Sequence, residues 1–385
     1  MSLHLSNRHG TVMQSEIRSM SLECSRQGGI NLAQGVCDTP VPEVVLRGAA
    51  DAMQRGLNTY TPHVGIGVLR RAIAQKQQRM YGMVCDPDSE IVVTAGATGA
   101  LYSAFQALLD PGDEVIVFEP FYGYHVTTLQ SAGAVPVFLP LNPEGWSFSE
   151  ADLMSAVGPK TRGIIVNTPA NPCGKVFSRS ELEVIAATAE RFDLFVFTDE
   201  IYEHFLYGGL SHLPFATLPG MKERTITISG ASKTYSVTGW RIGYAIADAR
   251  WAAAIGYFSD LVYVCAPAPL QAGVACGMDE LGDDYYRDLA EEYRLKRDRF
   301  CSALSAAGLR PAVPDGAYYV LADVTGIPGR NAFERAIHIL HKTGVASVPG
   351  SAFYSGGKGE SFVRFCYAKE DGVLDDACRG LQILR

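Results

Sequence analysis

No Cys-x-x-Cys pair, no apolar run near the ~20 residues of a membrane span and no basic stripe occur in this chain. The nine cysteines, an odd number, stand at 24, 37, 85, 173, 265, 276, 301, 366 and 378, a scatter that fits free thiols in a reducing compartment rather than a disulfide framework. Met1 to Met20 mixes His, Arg, Glu and Ser without an apolar core, so no secretory leader or anchor is expected there. A cytoplasmic protein is expected. The longest basic cluster, Arg294 to Arg299, is interrupted by Leu295 and Asp298 and followed by Phe300, as on a solvated helix face. With 41 acidic against 33 basic residues and a net charge of −8, no nucleic-acid partner is expected.

Two nucleotide-binding signatures are also missing. Gly65-Ile-Gly67 is followed by Val-Leu-Arg70 rather than a third glycine and precedes any strong strand, so the dinucleotide fingerprint fails. Lys233-Thr234 follows Ser232 where a phosphate-binding NTPase loop requires glycine. His338, His341 and Glu334 share a helix face but lack a fourth ligand, and no metal is expected.

What is present is ordinary globular composition, 47% hydrophobic and 19% charged over 385 residues, enough for two or three domains. Short β-rich runs recur at Ile91 to Thr94, Glu114 to Phe118, Val135 to Leu139, Gly163 to Asn167, Leu194 to Thr198, Arg224 to Ser229 and Ile242 to Ala247. Several are apolar on both faces, as in a sheet covered on two sides, and most gaps have room for helices. These features predict an α/β sandwich. Within one gap, Ser178 followed by Glu181 forms a capping box ahead of Leu182 and Ile185. After about Gly282 the texture changes. One long charged helix, Asp283 to Ala307, precedes strand-like Tyr318 to Asp323, helix-like Asn331 to Lys342, strand-like Phe362 to Tyr367 and a last helix. This is a second, α+β domain, with no linker to separate it from the first.

Loops at the carboxyl ends of buried strands are where open α/β sheets bind ligands. Four carry unusual residues. Gly96-Ala97-Thr98 runs straight into an apolar helix, where small residues let backbone amides approach a phosphate. Asn167-Thr168-Pro169-Ala170-Asn171-Pro172-Cys173-Gly174 packs two prolines and two asparagines into eight residues. Asp199-Glu200-Ile201-Tyr202 sets a carboxylate at the end of a very apolar strand, which calls for a cationic or protonated partner. Gly230-Ala231-Ser232-Lys233-Thr234 offers a lysine whose pKa desolvation and a nearby cation, Arg241, would lower.

A phosphate cradle, a buried carboxylate, a phenol and an activated lysine suit pyridoxal phosphate. Ser-Gly-Ala-Ser-Lys233-Thr, Thr-Gly-Trp-Arg241-Ile-Gly-Tyr, Asn-Pro-Cys-Gly at 171–174 and Asp199-Glu-Ile-Tyr202 closely resemble the class I aminotransferases of fold type I, and the resemblance spans Ala33 to about Ala368. It implies a three-layer large domain around a mostly parallel seven-stranded sheet over 45–282. It also implies a smaller α+β domain over 283–385 and an N-terminal arm over 1–44 that joins the small domain. By the same resemblance, Lys233 forms the Schiff base and shuttles the α-proton, and Asp199 pairs with the pyridinium nitrogen. Tyr202 and Asn171 contact the phenolic oxygen, and Tyr122 stacks on the ring. Gly96, Ala97, Thr98 and Arg241 surround the phosphate, with Ser229 or Ser232. Tyr60 reaches the neighbouring subunit's phosphate, which implies a homodimer with shared sites. Arg364 and Gly35 lie where the family binds the substrate's α-carboxylate.

The resemblance implies a ping-pong transfer from an L-amino acid to a 2-oxo acid. Thr98 stands where bacterial relatives specific for aspartate often carry lysine, which favours neutral or aromatic amino acids. Cys173 replaces a usual threonine at a position that leaves Asn171 its cofactor contact. The competing reading is β- or γ-elimination, or cyclisation, on the same cofactor.

Overall fold

The computed structural model describes residues 3–4 and 16–385; most of the leading stretch read above as free of a leader lies outside the described residues. All seven expected strands join one sheet. Across it, in order, run Ile91–Ala95, Ile242–Ile246, Thr225–Gly230, Phe195–Asp199, Thr161–Asn167, Glu114–Glu119 and Val135–Pro140. Ile242–Ile246 is antiparallel to both neighbours, and the other pairings are parallel.

The two-sided apolarity of the strands has its cause in the packing. Val115 and Val117 face one core, with Leu101, Phe105 and Ile255 from the helices on that side. Ile116 and Phe118, one residue out of phase, face another with Leu153, Leu182 and Ile185. Alternation along each strand feeds two buried layers, so neither face can be polar. The helix Arg179–Arg191 starts at the expected capping box, with Ser178 and Glu181 each bonding the other's backbone amide.

Helix Asp283–Ala306 leads into a four-stranded antiparallel sheet of Val348–Pro349, Phe362–Cys366, Tyr319–Asp323 and Arg310–Ala312. The two short strands, of two and three residues, were not anticipated, because so few residues carry no periodic signal. Both ends of the chain share this core: Met20, Cys24 and Leu32 pack with Phe365, Leu374 and Leu381. Ile30–Asn31 also pairs in parallel with Val345–Ala346. Among the described residues no helix is long and apolar enough to cross a membrane.

Candidate active site

Five parallel strands open their carboxyl ends onto a cavity of about 710 Å³ that the small sheet and the N-terminal helix close from the other side. At one end the strand Ile91–Ala95 gives way to helix Gly96–Leu108, which no side chain caps. The amides of its first turn are therefore left to donate. Gly96 has φ +77°, and a Cβ there would lie 2.3 Å from Arg241 Nη2, so glycine is what lets the guanidinium lie over the helix start. Arg241 is itself left-handed at φ 55°, with Nη1 donating to the Thr238 carbonyl at 2.9 Å. Ala97, Thr98, Ser232 and Arg241 line this end. Amides, a hydroxyl and an arginine with no acidic partner among the described residues make an anion cradle.

Of the two candidate serines, Ser232 lines the cavity and Ser229 does not. Ser229 Oγ donates to Glu203 Oε1 at 2.8 Å, in a buried cluster away from the cavity. Ser229 stands opposite Tyr244 in the antiparallel pair, so both side chains share the sheet face where Lys76 and Glu203 form an ion pair at 2.6 Å. Of the two serines left open by the sequence, Ser232 is the one placed beside the cradle, and Ser229 faces away from it.

Lys233 reaches the middle of the cavity, its Nζ donating to the Gly35 carbonyl at 3.0 Å. Burial pushes its amine below the usual lysine range, and the positive charges of Arg241 and Arg364 push the same way. The partner that Asp199 requires is His125, whose Nε2 lies 2.7 Å from Asp199 Oδ2, both buried. Asn167 Nδ2 and the Thr168 amide donate to the Asp199 carbonyl at 2.9 and 3.1 Å and fix the strand end.

Tyr202 and Tyr319 share a hydrogen bond at 2.9 Å, and burial pushes both phenols well above their usual range, so both stay protonated at neutral pH and one donates to the other. Tyr122, at the start of the helix Gly123–Ser131, lines the same wall.

The far end belongs to Arg364, which is 1% exposed. Its Nη1 donates to Asn171 Oδ1 at 2.8 Å, its Nη2 to the Ala33 carbonyl, and its Nε has no partner. The guanidinium lies over the rings of Tyr319 and Phe353 at 4.3 and 4.8 Å. No carboxylate of the described residues pairs with it. A buried cation with an orphaned N–H is costly unless a ligand supplies the anion. Gly35 is fitted to this end: a Cβ there would fall 1.9 Å from Tyr319 Oη.

Tyr60 stands apart from this cavity and is 82% exposed. Cys173 points into the apolar core under the sheet, not toward the site. Three site residues escaped the sequence reading. His125 lies three residues beyond Tyr122, an isolated histidine with no spacing to mark it. Asn167 was visible as half of the double-asparagine loop. Tyr319 was read as part of a strand.

The donor set fits pyridoxal phosphate. The uncapped helix start with Ser232 and Arg241 would hold its phosphate, and Asp199 with His125 would hold its ring nitrogen. Tyr202 and Asn171 would meet its phenolic oxygen, and the desolvated Lys233 amine its aldehyde.

Comparison with known proteins gives the same assignment over nearly the whole length. The profile described as aminotransferase class I and II matches residues 27–381. A solved structure of N-succinyldiaminopimelate aminotransferase from Mycobacterium tuberculosis superposes with a TM-score of 0.96 at 37% identity, covering 99% of this chain and 100% of that one. The Escherichia coli protein YbdL, described as having a methionine aminotransferase function, superposes at 0.94 with 31% identity, covering 99% and 100%. Kynurenine–oxoglutarate transaminase 3 of Mus musculus is 37% identical over 378 residues, 90% of this chain and 83% of the relative. The chain is therefore an enzyme of the class I and II aminotransferase family, the fold type I transferases that use pyridoxal 5'-phosphate.

Proposed function

We propose that this enzyme moves the amino group of a neutral or aromatic L-amino acid to a 2-oxo acid by a ping-pong mechanism, working as a cytoplasmic homodimer. The observation that carries the reading is Arg364: a buried guanidinium with an unpartnered N–H, in the same cavity as an amine held below its usual pKa.

Arg364 binds the substrate's α-carboxylate through its free donors, a charge-assisted contact that also relieves the buried cation. That contact orients the α-carbon toward Lys233. Bound pyridoxal phosphate supplies the electron sink that makes the α-proton removable. Lys233, its amine biased toward the neutral form by burial, takes that proton at Nζ and delivers it back within the cavity. Asp199, held by His125, would pair with the cofactor's ring nitrogen. Tyr202 and Tyr319 stay protonated; one O–H is spent between them, and the other is left to donate into the site.

The mixed polar and apolar lining, with Tyr122, Tyr124, Ile17 and Leu22, supports a neutral or aromatic donor, in line with the methionine and kynurenine named for two relatives. The dimer is supported by Tyr60 and by Tyr257 and Leu261, 82%, 67% and 71% exposed. The segment after Tyr60 packs on helix Ala249–Tyr263 at Gly256, where a Cβ would meet Val64 and His63. All nine cysteines are free, which supports a reducing compartment.

The test is a half-reaction. Holoenzyme mixed with a single amino acid converts its yellow colour to that of the aminated cofactor and releases one equivalent of 2-oxo acid; an added 2-oxo acid restores the colour. Lys233→Ala abolishes both conversions, and borohydride followed by peptide mapping labels residue 233 in the parent. Ammonia released without an acceptor would establish elimination instead.

A further inference from the structure

Glu119 is a wholly buried acid that the proposed reaction leaves without a task. It ends the strand Glu114–Glu119 and is 0% exposed. A carboxylate that deep is costly unless it is paired and hydrogen-bonded. Glu200 and Glu203 meet that need with His212 and Lys76, on the central sheet's own side. Glu119 instead reaches across to the small sheet: Oε1 accepts from the Ser355 amide at 2.6 Å, and Oε2 from Lys358 Nζ at 3.1 Å.

The loop it holds, from Gly350 to Gly359, connects the antiparallel strands Val348–Pro349 and Phe362–Cys366, and the second of these carries Arg364. Gly356 and Gly357, left-handed at φ 62° and 74°, turn its tip back so that Lys358 returns to Glu119. Two residues beyond Glu119, the Phe121 amide donates to the Phe353 carbonyl at 2.9 Å. The Phe353 ring, 1% exposed, lies 4.8 Å from the Arg364 guanidinium. The end of one central strand thus grips this loop at three points, from Phe353 to Lys358, and the loop delivers an aromatic ring onto the buried cation. Neither Glu119 nor Phe353 lines the cavity, so any effect of Glu119 on a bound molecule passes through Arg364.

We propose that Glu119 is a positioning residue of the carboxylate pocket: it holds the loop so that Phe353 keeps water off Arg364, and so sets how tightly a substrate carboxylate is bound. This rests on the reading of Arg364 as the carboxylate anchor. A guanidinium–carboxylate contact is stronger in a dry pocket than in a hydrated one. Phe353, with Tyr319, supplies the dry surface and keeps the planar guanidinium in one orientation. A loop released from Glu119 lets the ring leave, and water then competes for the same donors.

The experiment is calorimetric binding of 3-phenylpropanoate, an unreactive carboxylic acid, to the holoenzyme in the parent, Glu119→Gln, Lys358→Met, Phe353→Leu and the double variant Glu119→Gln/Phe353→Leu. Glu119→Gln is expected to weaken binding about 5- to 20-fold and to raise KM for the amino acid by a similar factor, with kcat and affinity for pyridoxal phosphate within about twofold of the parent. Lys358→Met, which alters the half-exposed end of the pair, is expected to weaken it about two- to fivefold. Phe353→Leu weakens it as Glu119→Gln does, and the double variant is less than about twofold worse than Phe353→Leu alone, because the ring through which Glu119 acts is already gone. A role limited to bracing the fold would lower the melting temperature and leave the acid's Kd unchanged. Unchanged Kd in both Glu119→Gln and Lys358→Met, additive losses in the double variant, or an equal loss of cofactor affinity overturns the proposal. Arg364→Lys in the same titration separates it from the reading beneath it: weakened binding there alone keeps Arg364 as the anchor and removes Glu119, whereas equal binding to parent and Arg364→Lys overturns the anchor and the proposal with it.

Discussion

Arg364 Nη1 donates to the side-chain oxygen of Asn171 at 2.8 Å, joining the carboxylate end of the cavity to the phenolic-oxygen end. The contact consumes the acceptor of the Asn171 amide, so its NH2 is the group left to donate into the cavity. Arg364→Lys keeps the charge but cannot hold Asn171, the Ala33 carbonyl and a carboxylate together. We expect kcat/KM for the amino acid to fall about 100- to 1,000-fold. The cofactor's absorbance band is also expected to shift as Asn171 loses its fixed orientation. Stopped-flow half-reactions and a spectrum of the resting variant check both; an unchanged kcat/KM refutes the role of Arg364.

The His125–Asp199 contact yields a second expectation. Replacing one partner of a buried pair leaves the other unsatisfied, at a cost of about 3–5 kcal/mol if charged. His125→Phe, close in volume, is expected to lose pyridoxal phosphate on dialysis more than tenfold faster than the parent and to unfold at a lower temperature without it. His125→Asn, which can still donate to Asp199, recovers part of both. Fluorescence titration of the apoenzyme with cofactor, with thermal melts, checks this.

A third expectation concerns acid stability. Glu203 carries Lys76 at 2.6 Å, and Glu200 carries His212 at 2.8 Å, on the face of the sheet away from the cavity. In the same cluster His204 lies against Tyr286 with ring centroids 4.4 Å apart. Burial, then the Lys76 charge, pushes His204 down to about 3 from an ordinary 6.5. Its folded pKa lies below its unfolded one, so the unfolded chain binds the proton first. Stability therefore falls as pH drops below about 6.5 and continues to fall toward 3. Glu203, held far below its usual range by Lys76 against the opposing effect of burial, adds to the loss below about 4.5. His204→Phe is expected to flatten the stability profile between pH 6 and 5 by up to about 1.4 kcal/mol per pH unit. Denaturant melts across that range check it; parallel profiles would refute a neutral buried His204.

The sequence disclosed the sheet because burial on both faces leaves a strong imprint, as the alternation of Val115 and Val117 against Ile116 and Phe118 illustrates. Motif residues such as Lys233, Asp199, Tyr202 and Asn171 were legible through the resemblance, since each stands at a strand's carboxyl end and the strands were clear. The choice between Ser229 and Ser232 was not. Ser229 is the penultimate residue of its strand and obeys the sheet's alternation, which sends it to the face of Tyr244, whereas Ser232 lies beyond the strand. Knowledge of where the strand stops, a boundary that propensity sets poorly, separates them. His125 was beyond reach for a different reason. Its role arises from segments far apart in sequence, and it has no pattern of its own.

The ladder between Ile30–Asn31 and Val345–Ala346, with the Ala33 carbonyl against Arg364, also sets when this enzyme can come into being. A ribosome that has delivered the entire central sheet has not yet made a carboxylate pocket. Half of that pocket waits near the amino terminus for a strand synthesised more than 300 residues later. Closing so long a loop costs little more entropy than closing a moderate one, but it is slow. The nascent chain must therefore carry its early segment unsatisfied, with Leu32 and Ala33 uncovered, until translation is almost finished.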